Sequence, residues 1–223
     1  MPLILIVLLL ALAVGLLSGG SLRSWERMRL HWWGLAPVGV ALQAIPIPAS
    51  WDERQTIGWV TLVASYVVLL AFVAVNRRIP GAALMAAGLL LNLAVVAPNQ
   101  GMPVSASAVE VAAGSGSVRL PQDSAKHHVA TEDDVLRFLG DVIPIPPPFR
   151  IVLSIGDVLL YAGIAWFVVI VTRGRFRENR RPPARWVRLY RGKHAPLAYR
   201  LPGRSRSPTA ADPAEGGTSG TGS

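Results

Sequence analysis

The chain contains no cysteine. That excludes disulfides and thiolate metal sites, and leaves no trace of redox compartment. Charge is sparse: 16% of residues are Asp, Glu, Lys or Arg, against 52% apolar. The signatures of several chemistries are also missing. There is no HExxH of a zinc hydrolase, no GxSxG elbow and no phosphate-cradling glycine loop.

Long apolar runs are what the chain does have. Five stretches stand out: Pro2–Leu17, Leu30–Ile47, Ile57–Val75, Pro80–Ala97 and Ile151–Thr172. Each is about as long as a helix needs to cross roughly 30 Å of hydrocarbon at 1.5 Å per residue. The pattern predicts an all-α membrane protein, a five-helix transmembrane bundle. A soluble protein with unusually apolar helices is the alternative. The expected membrane domain is 1–175, with an outer loop at 98–150. A basic juxtamembrane segment (176–202) and a disordered tail (203–223) follow.

The net charge of +9 is unevenly placed. Twelve of the 22 Lys and Arg follow Thr172, against only Glu178, Asp212 and Glu215, so the rest of the chain is neutral. A basic segment beside a membrane helix is a topology signal and a contact for anionic phospholipid. Arg173, Arg175, Arg177, Arg180, Arg181, Arg185, Arg188 and Arg191 are the expected contacts. Nucleic acid is not an expected partner. Arg23, Arg27 and Arg29 follow the first stretch, and Arg77 and Arg78 follow the third. By the positive-inside rule the N-terminus lies outside the cell membrane and the C-terminus in the cytoplasm. The first stretch lacks a basic leader and a clean small-x-small site. It reads as an anchor rather than a signal peptide.

The outer loop predicts structure of its own. Thr131 is a good N-cap, with Glu132, Asp133 and Asp134 suited to a first turn. Val135, Phe138, Leu139 and Val142 would share one face, and Gly140 could end the helix. This predicts a short amphipathic helix. Ile143–Pro148, with four prolines in six residues, predicts polyproline II. Ser115-Gly116-Ser117 reads as flexible loop.

Polar groups inside apolar spans are the best functional pointers in a membrane protein. Asp157 is the one ionisable side chain deep in any span. Ser154, Asp157 and Tyr161 share a helix face by spacing. Gly81, Met85, Gly88, Asn92 and Asn99 form a second stripe, suited to close helix approach. At 1.5 Å per residue, Asp157 lies about 9 Å below the outer boundary and Asn92 at a similar depth. Gln43, Thr61 and Ser65 fall in that layer. The expected polar cluster is therefore Gln43, Ser65, Asn92, Asn99, Ser154 and Asp157. It either fixes helix register or lines a polar cavity open to the outside. Asp157, Asp141 and His127 are the catalytic candidates. No metal and no cofactor is expected: His128 and Glu132 have i, i+4 spacing, but Thr131 would start a helix between them.

Four pieces together, Asn99-Gln100-Gly101-Met102-Pro103-Val104, Lys126-His127, Phe138–Pro144 and Ser154-Ile155-Gly156-Asp157, resemble a bacterial membrane protein family. It is the domain-of-unknown-function family 5317, and the resemblance covers about Pro2 to Thr172. Gln100 stands where the family usually has glycine. The family has no established activity, so the resemblance implies architecture alone: several helices, then a structured loop before a last helix bearing Ser-Ile-Gly-Asp.

The leading functional expectation is an envelope binding or assembly protein that presents its outer loop to an envelope protein or a lipid-linked ligand. The alternatives are a membrane-embedded enzyme acting on a lipid-linked or envelope substrate at the outer face, and a proton- or cation-coupled transporter. Five spans without an inverted repeat weaken the transporter reading.

Overall fold

A computed structural model describes residues 2–48, 52–114 and 125–175. The chain is mostly helical. Its α-helices are α1 (Pro2–Leu17), α2 (Leu35–Ala44), α3 (Arg54–Val75), α4 (Ala82–Asn99), α5 (Ala106–Ala113) and α6 (Ile155–Thr172). Four strands accompany them: β1 (Met102–Val104), β2 (His127–Val129), β3 (Asp141–Ile145) and β4 (Ile151–Ser154). The fold is therefore not all-α. The expected basic segment and tail from residue 176 on, and Ser115–Ser117, lie outside the described residues.

α3, α4 and α6 are long and apolar enough to cross a membrane, with 22, 18 and 18 residues. α1 has 16 residues and α2 only 10. Of the expected span Leu30–Ile47, only Leu35–Ala44 is thus α-helix. A left-handed Trp32 (φ 51°) stands before it. At the other end Ile45 turns extended (ψ 118°), as a residue before proline tends to, and Pro46 follows.

Neighbouring helices pack in the order α2, α3, α4, α6, α1. The core lies between α3 and α4, around Leu62, Tyr66, Val73, Leu89, Val95 and Val96. The Trp59 indole ties the pair by donating to the Val96 carbonyl at 3.1 Å. The crossing of α4 on α6 is built on glycine. A Cβ on Gly88 would overlap the Gly156 carbonyl oxygen, and one on Gly156 would overlap the Asn92 amide oxygen. Gly81 and Gly163 repeat the contact one heptad away. The small-residue stripe expected on α4 is thus matched by one on α6, and backbone meets backbone.

The helix ends gather at two poles. At one, the Ser21 N–H donates to the Thr172 carbonyl at 2.8 Å, and the Trp25 indole donates to the Thr172 hydroxyl at 3.1 Å. Asn76 clamps the His31 backbone there, through N–H and carbonyl, at 2.9 Å each. At the other pole sits the sheet, in the order β2-β1-β3-β4. β1 runs parallel to β2 and β3, and β3 pairs antiparallel with β4.

Three expectations fail at this pole. The helix expected from Thr131 is absent: residues 131–136 form turns, and Arg137–Leu139 is a single 3-10 turn. Its polar groups bond locally instead. The Asp134 carboxylate accepts the Thr131 N–H at 2.6 Å, and Asn99 takes both the N–H and the carbonyl of Val135 at 2.8 Å each. Side chains that capture nearby backbone compete with a helix. The loop helix is α5, capped by Ser105, whose hydroxyl accepts from the Ala108 N–H. Second, Ile143–Ile145 is β-strand rather than polyproline II. Third, Ile151–Ser154 pairs with it as β4, so the last helix begins at Ile155.

Candidate functional site

The site grows from the point where β4 turns into α6. Ser154 caps the helix: its hydroxyl accepts the Asp157 N–H at 3.0 Å, and Asp157 Oδ2 accepts the Ser154 N–H at 3.2 Å. Such a reciprocal box satisfies two of the helix's orphan donors. A carboxylate in the first turn also favours the helix dipole. α4 closes the arrangement. Asn92, only 1% exposed, donates from Nδ2 to Asp157 Oδ1 at 2.8 Å and accepts the Ser154 hydroxyl on Oδ1 at 2.9 Å. Three side chains, from α4, the end of β4 and the first turn of α6, form a closed ring. The Tyr66 hydroxyl of α3 meets the Asn92 amide from the third side.

Asp141 lies beside this ring, because β3 pairs it with Ser154. It is buried. Burial pushes its carboxyl well above the ordinary range, and the nearby Asp157 charge pushes the same way. His127 of β2 comes in from the far side of the sheet. Burial holds its imidazole below the ordinary value. The Asp157 carboxylate opposes that, while Lys126 and His128 reinforce it. Asp157, Asp141 and His127 are thus electrostatic neighbours. Asp141 favours its protonated form and His127 its neutral one.

The rest of the expected cluster is dispersed. Ser65 donates to the Gly39 carbonyl at 2.8 Å, tying α3 to α2. Asn99 holds the 131–136 turns, as described. Thr61 donates to Gly58 within its own helix. Gln43 enters through its backbone. The Lys126 ammonium, absent from the expected site, donates to the carbonyls of Leu42, Gln43 and Ile45 at 3.2, 2.6 and 3.1 Å. It is a cation capping the C-terminus of α2. A lysine beside two histidines gave no sequence signal for this role, because its partners are carbonyls 81 to 84 residues away.

His128 pairs with Asp134 at 2.9 Å. Burial pushes the Asp134 carboxyl up, but hydrogen bonds from Thr131 and His128 outweigh it and leave the carboxyl below its ordinary value. Among the described residues, no group of three or more His, Asp or Glu is placed to share a metal ion. Of the expected lipid contacts, Arg173 and Arg175 follow α6 directly, and Arg177 to Arg191 lie outside the described residues.

Residues 27–169 match the family of unknown function DUF5317. The chain belongs to this family. The match spans the polar ring, the sheet and α2 through most of α6. An uncharacterized protein of Thermotoga maritima is 30% identical over 179 residues, covering 79% of this chain and 96% of that relative. No solved structure matches the chain.

Proposed function

We propose that this DUF5317 member is a multi-pass membrane protein that presents its sheet unit to a partner in the cell envelope. Immersion is supported by α3, α4 and α6, and by the apolar surface the fold leaves uncovered. Leu9, Leu10 and Leu17 of α1, Val67 of α3 and Trp166 of α6 are all exposed. Apolar area on that scale calls for lipid or a partner. The arginine-bearing pole faces the cytoplasm, and the sheet faces outward with the N-terminus.

The observation that carries binding over catalysis is the engagement of Asp157. Asn92 and the Ser154 N–H take up both its carboxylate oxygens, so it is committed to holding α4, α6 and β4 together. The open surface lies elsewhere. A cleft of about 420 Å³ runs past Ser105, Ser107, Arg137, Phe138 and Val142. Phe138 is 64% exposed at its rim, with Val135 and Leu136 beside it. An exposed aromatic next to an arginine is typical of binding hot spots.

A membrane-embedded enzyme is the second reading. It is favoured by Asp141, a buried carboxyl whose pKa is pushed up by burial and by Asp157, close to a histidine whose pKa burial pushes down. Complementation of a deletion strain separates the two. If the sheet is a docking surface, Phe138→Asp loses function, while Asp141→Asn and Asp157→Asn keep it. Loss in Asp141→Asn at wild-type expression and stability, with Phe138→Asp active, would replace binding by catalysis.

A further inference from the structure

The pole opposite the sheet carries a second cavity, unrelated to the polar ring. It measures about 510 Å³ and is lined by Trp25, Met28, Arg29, Leu30, His31 and Trp33. Its walls are fixed. The Trp25 indole is held by Thr172 and packs edge-on against Phe167, with ring centroids 5.7 Å apart. The His31 backbone is held on both sides by Asn76. Trp32 and Trp33 nevertheless stand 68% and 70% exposed. The two clamps also set the neighbours. The Asn76 clamp brings Arg77 and Arg78 to this pole, and the Thr172 contacts bring Arg173 and Arg175. Arg23 and Arg27 lie in the 3-10 turn Leu22–Arg27. Against these arginines and Arg29 the same segments supply one acid, Glu26. Among the described residues no ion pair neutralises any of them.

Unneutralised guanidinium groups beside exposed indoles call for an anion joined to an apolar body. Arginine binds phosphate oxygens in a fork. Tryptophan settles where one side is apolar and the other wet. We propose that this cavity seats the phosphodiester headgroup of an anionic phospholipid of the cytoplasmic leaflet. Arg29 holds the phosphate, and Trp25 and Trp33 flank the glycerol and upper acyl chain. The proposal involves none of the arginines beyond residue 176. The proposal rests on the membrane reading above.

The test uses the full-length protein in nanodiscs of equal phosphatidylglycerol and phosphatidylcholine, with retained lipid counted by native mass spectrometry. Wild type should retain phosphatidylglycerol preferentially. Arg29→Gln should lower that retention about fivefold, the weight of one arginine at a charged membrane surface. Adding Trp33→Ala should lower it further, and Trp33→Phe should restore part of it. A chain with glutamine at Arg177, Arg180, Arg181, Arg185, Arg188 and Arg191 should keep the preference. Equal retention of both lipids by wild type, or a preference lost with the tail arginines alone, would overturn the proposal. Competition by glycerol phosphate as effective as by phosphatidylglycerol would overturn it too, by assigning the cavity to a soluble phosphate ester. Extraction of the protein from native membranes by alkaline carbonate is read separately. Release into the supernatant would remove the membrane reading itself.

Discussion

Where α4 crosses α6, glycines bring backbone against backbone. Where the sheet unit meets the helices, side chains reach across in hydrogen bonds instead. Lys126 caps α2, Asn99 clamps Val135, and Asn92 closes on the box that starts α6. The first contact rests on close packing and has no room to give. The second is a set of separate hydrogen bonds, each removable alone. The bundle should therefore fail by overlap, abruptly, and the sheet pole by degrees.

The largest expected effect breaks the bundle side. Gly88→Leu drives a side chain into the Gly156 carbonyl, and overpacking of this kind costs about 3 kcal/mol. Detergent-solubilised protein should lose its monodisperse peak in size-exclusion chromatography. Gly34→Leu, where an added Cβ meets nothing within 4 Å, should keep it.

Asp157 comes next. Asp157→Leu leaves Asn92 and the Ser154 N–H without their acceptor, at a cost of about 2 kcal/mol. Asp157→Asn keeps one acceptor of the same shape but turns an amide NH2 toward the other donor, and should lose less than Asp157→Leu. Equal losses in thermal melts would mean that the charge, rather than the bonding pattern, holds the ring.

Asp141 should move the other way. Its folded pKa lies above its unfolded value, so above about pH 4 the unfolded state binds fewer protons than the folded state. Stability contributed by this group is therefore lost as pH rises through that window toward the folded pKa. Asparagine cannot ionise. Asp141→Asn should raise the melting temperature at pH 7 by about 2 °C or more, with the gain vanishing toward pH 4. A pH-independent difference would assign the change to packing.

The smallest effect sharpens the sheet side. Lys126→Met removes the cation from the α2 C-terminus and should cost about 1 kcal/mol. Hydrogen exchange should quicken at α2 and leave the α4–α6 crossing unchanged.

Much of the bundle was legible. Gly81, Gly88 and Asn92 read as one stripe because a helix repeats every 3.6 residues, and that stripe is the one that packs. Asn92, Ser154 and Asp157 were legible as neighbours because helical rise converts position into depth. Gln43, Ser65 and Asn99 shared that depth but not those partners, since depth alone does not say which way a helix is rotated. The segment around Thr131 misled because an N-cap residue and an Asp three positions on are also the makings of a local turn.

By itself the sequence determined the apolar lengths of α3, α4 and α6, the sorting of arginine among the connections, and the small-residue faces. Each depends on local spacing, which the chain carries in one dimension. Tertiary structure alone decided the four-stranded sheet, the Lys126 cap, the proximity of Asp141 and His127 to Asp157, and the tryptophan cavity at the other pole. Strands of three to five residues are too short to announce themselves by period. Only the tertiary fold brings β1 and β2 beside the β3–β4 pair, a closure the packed helix ends make possible.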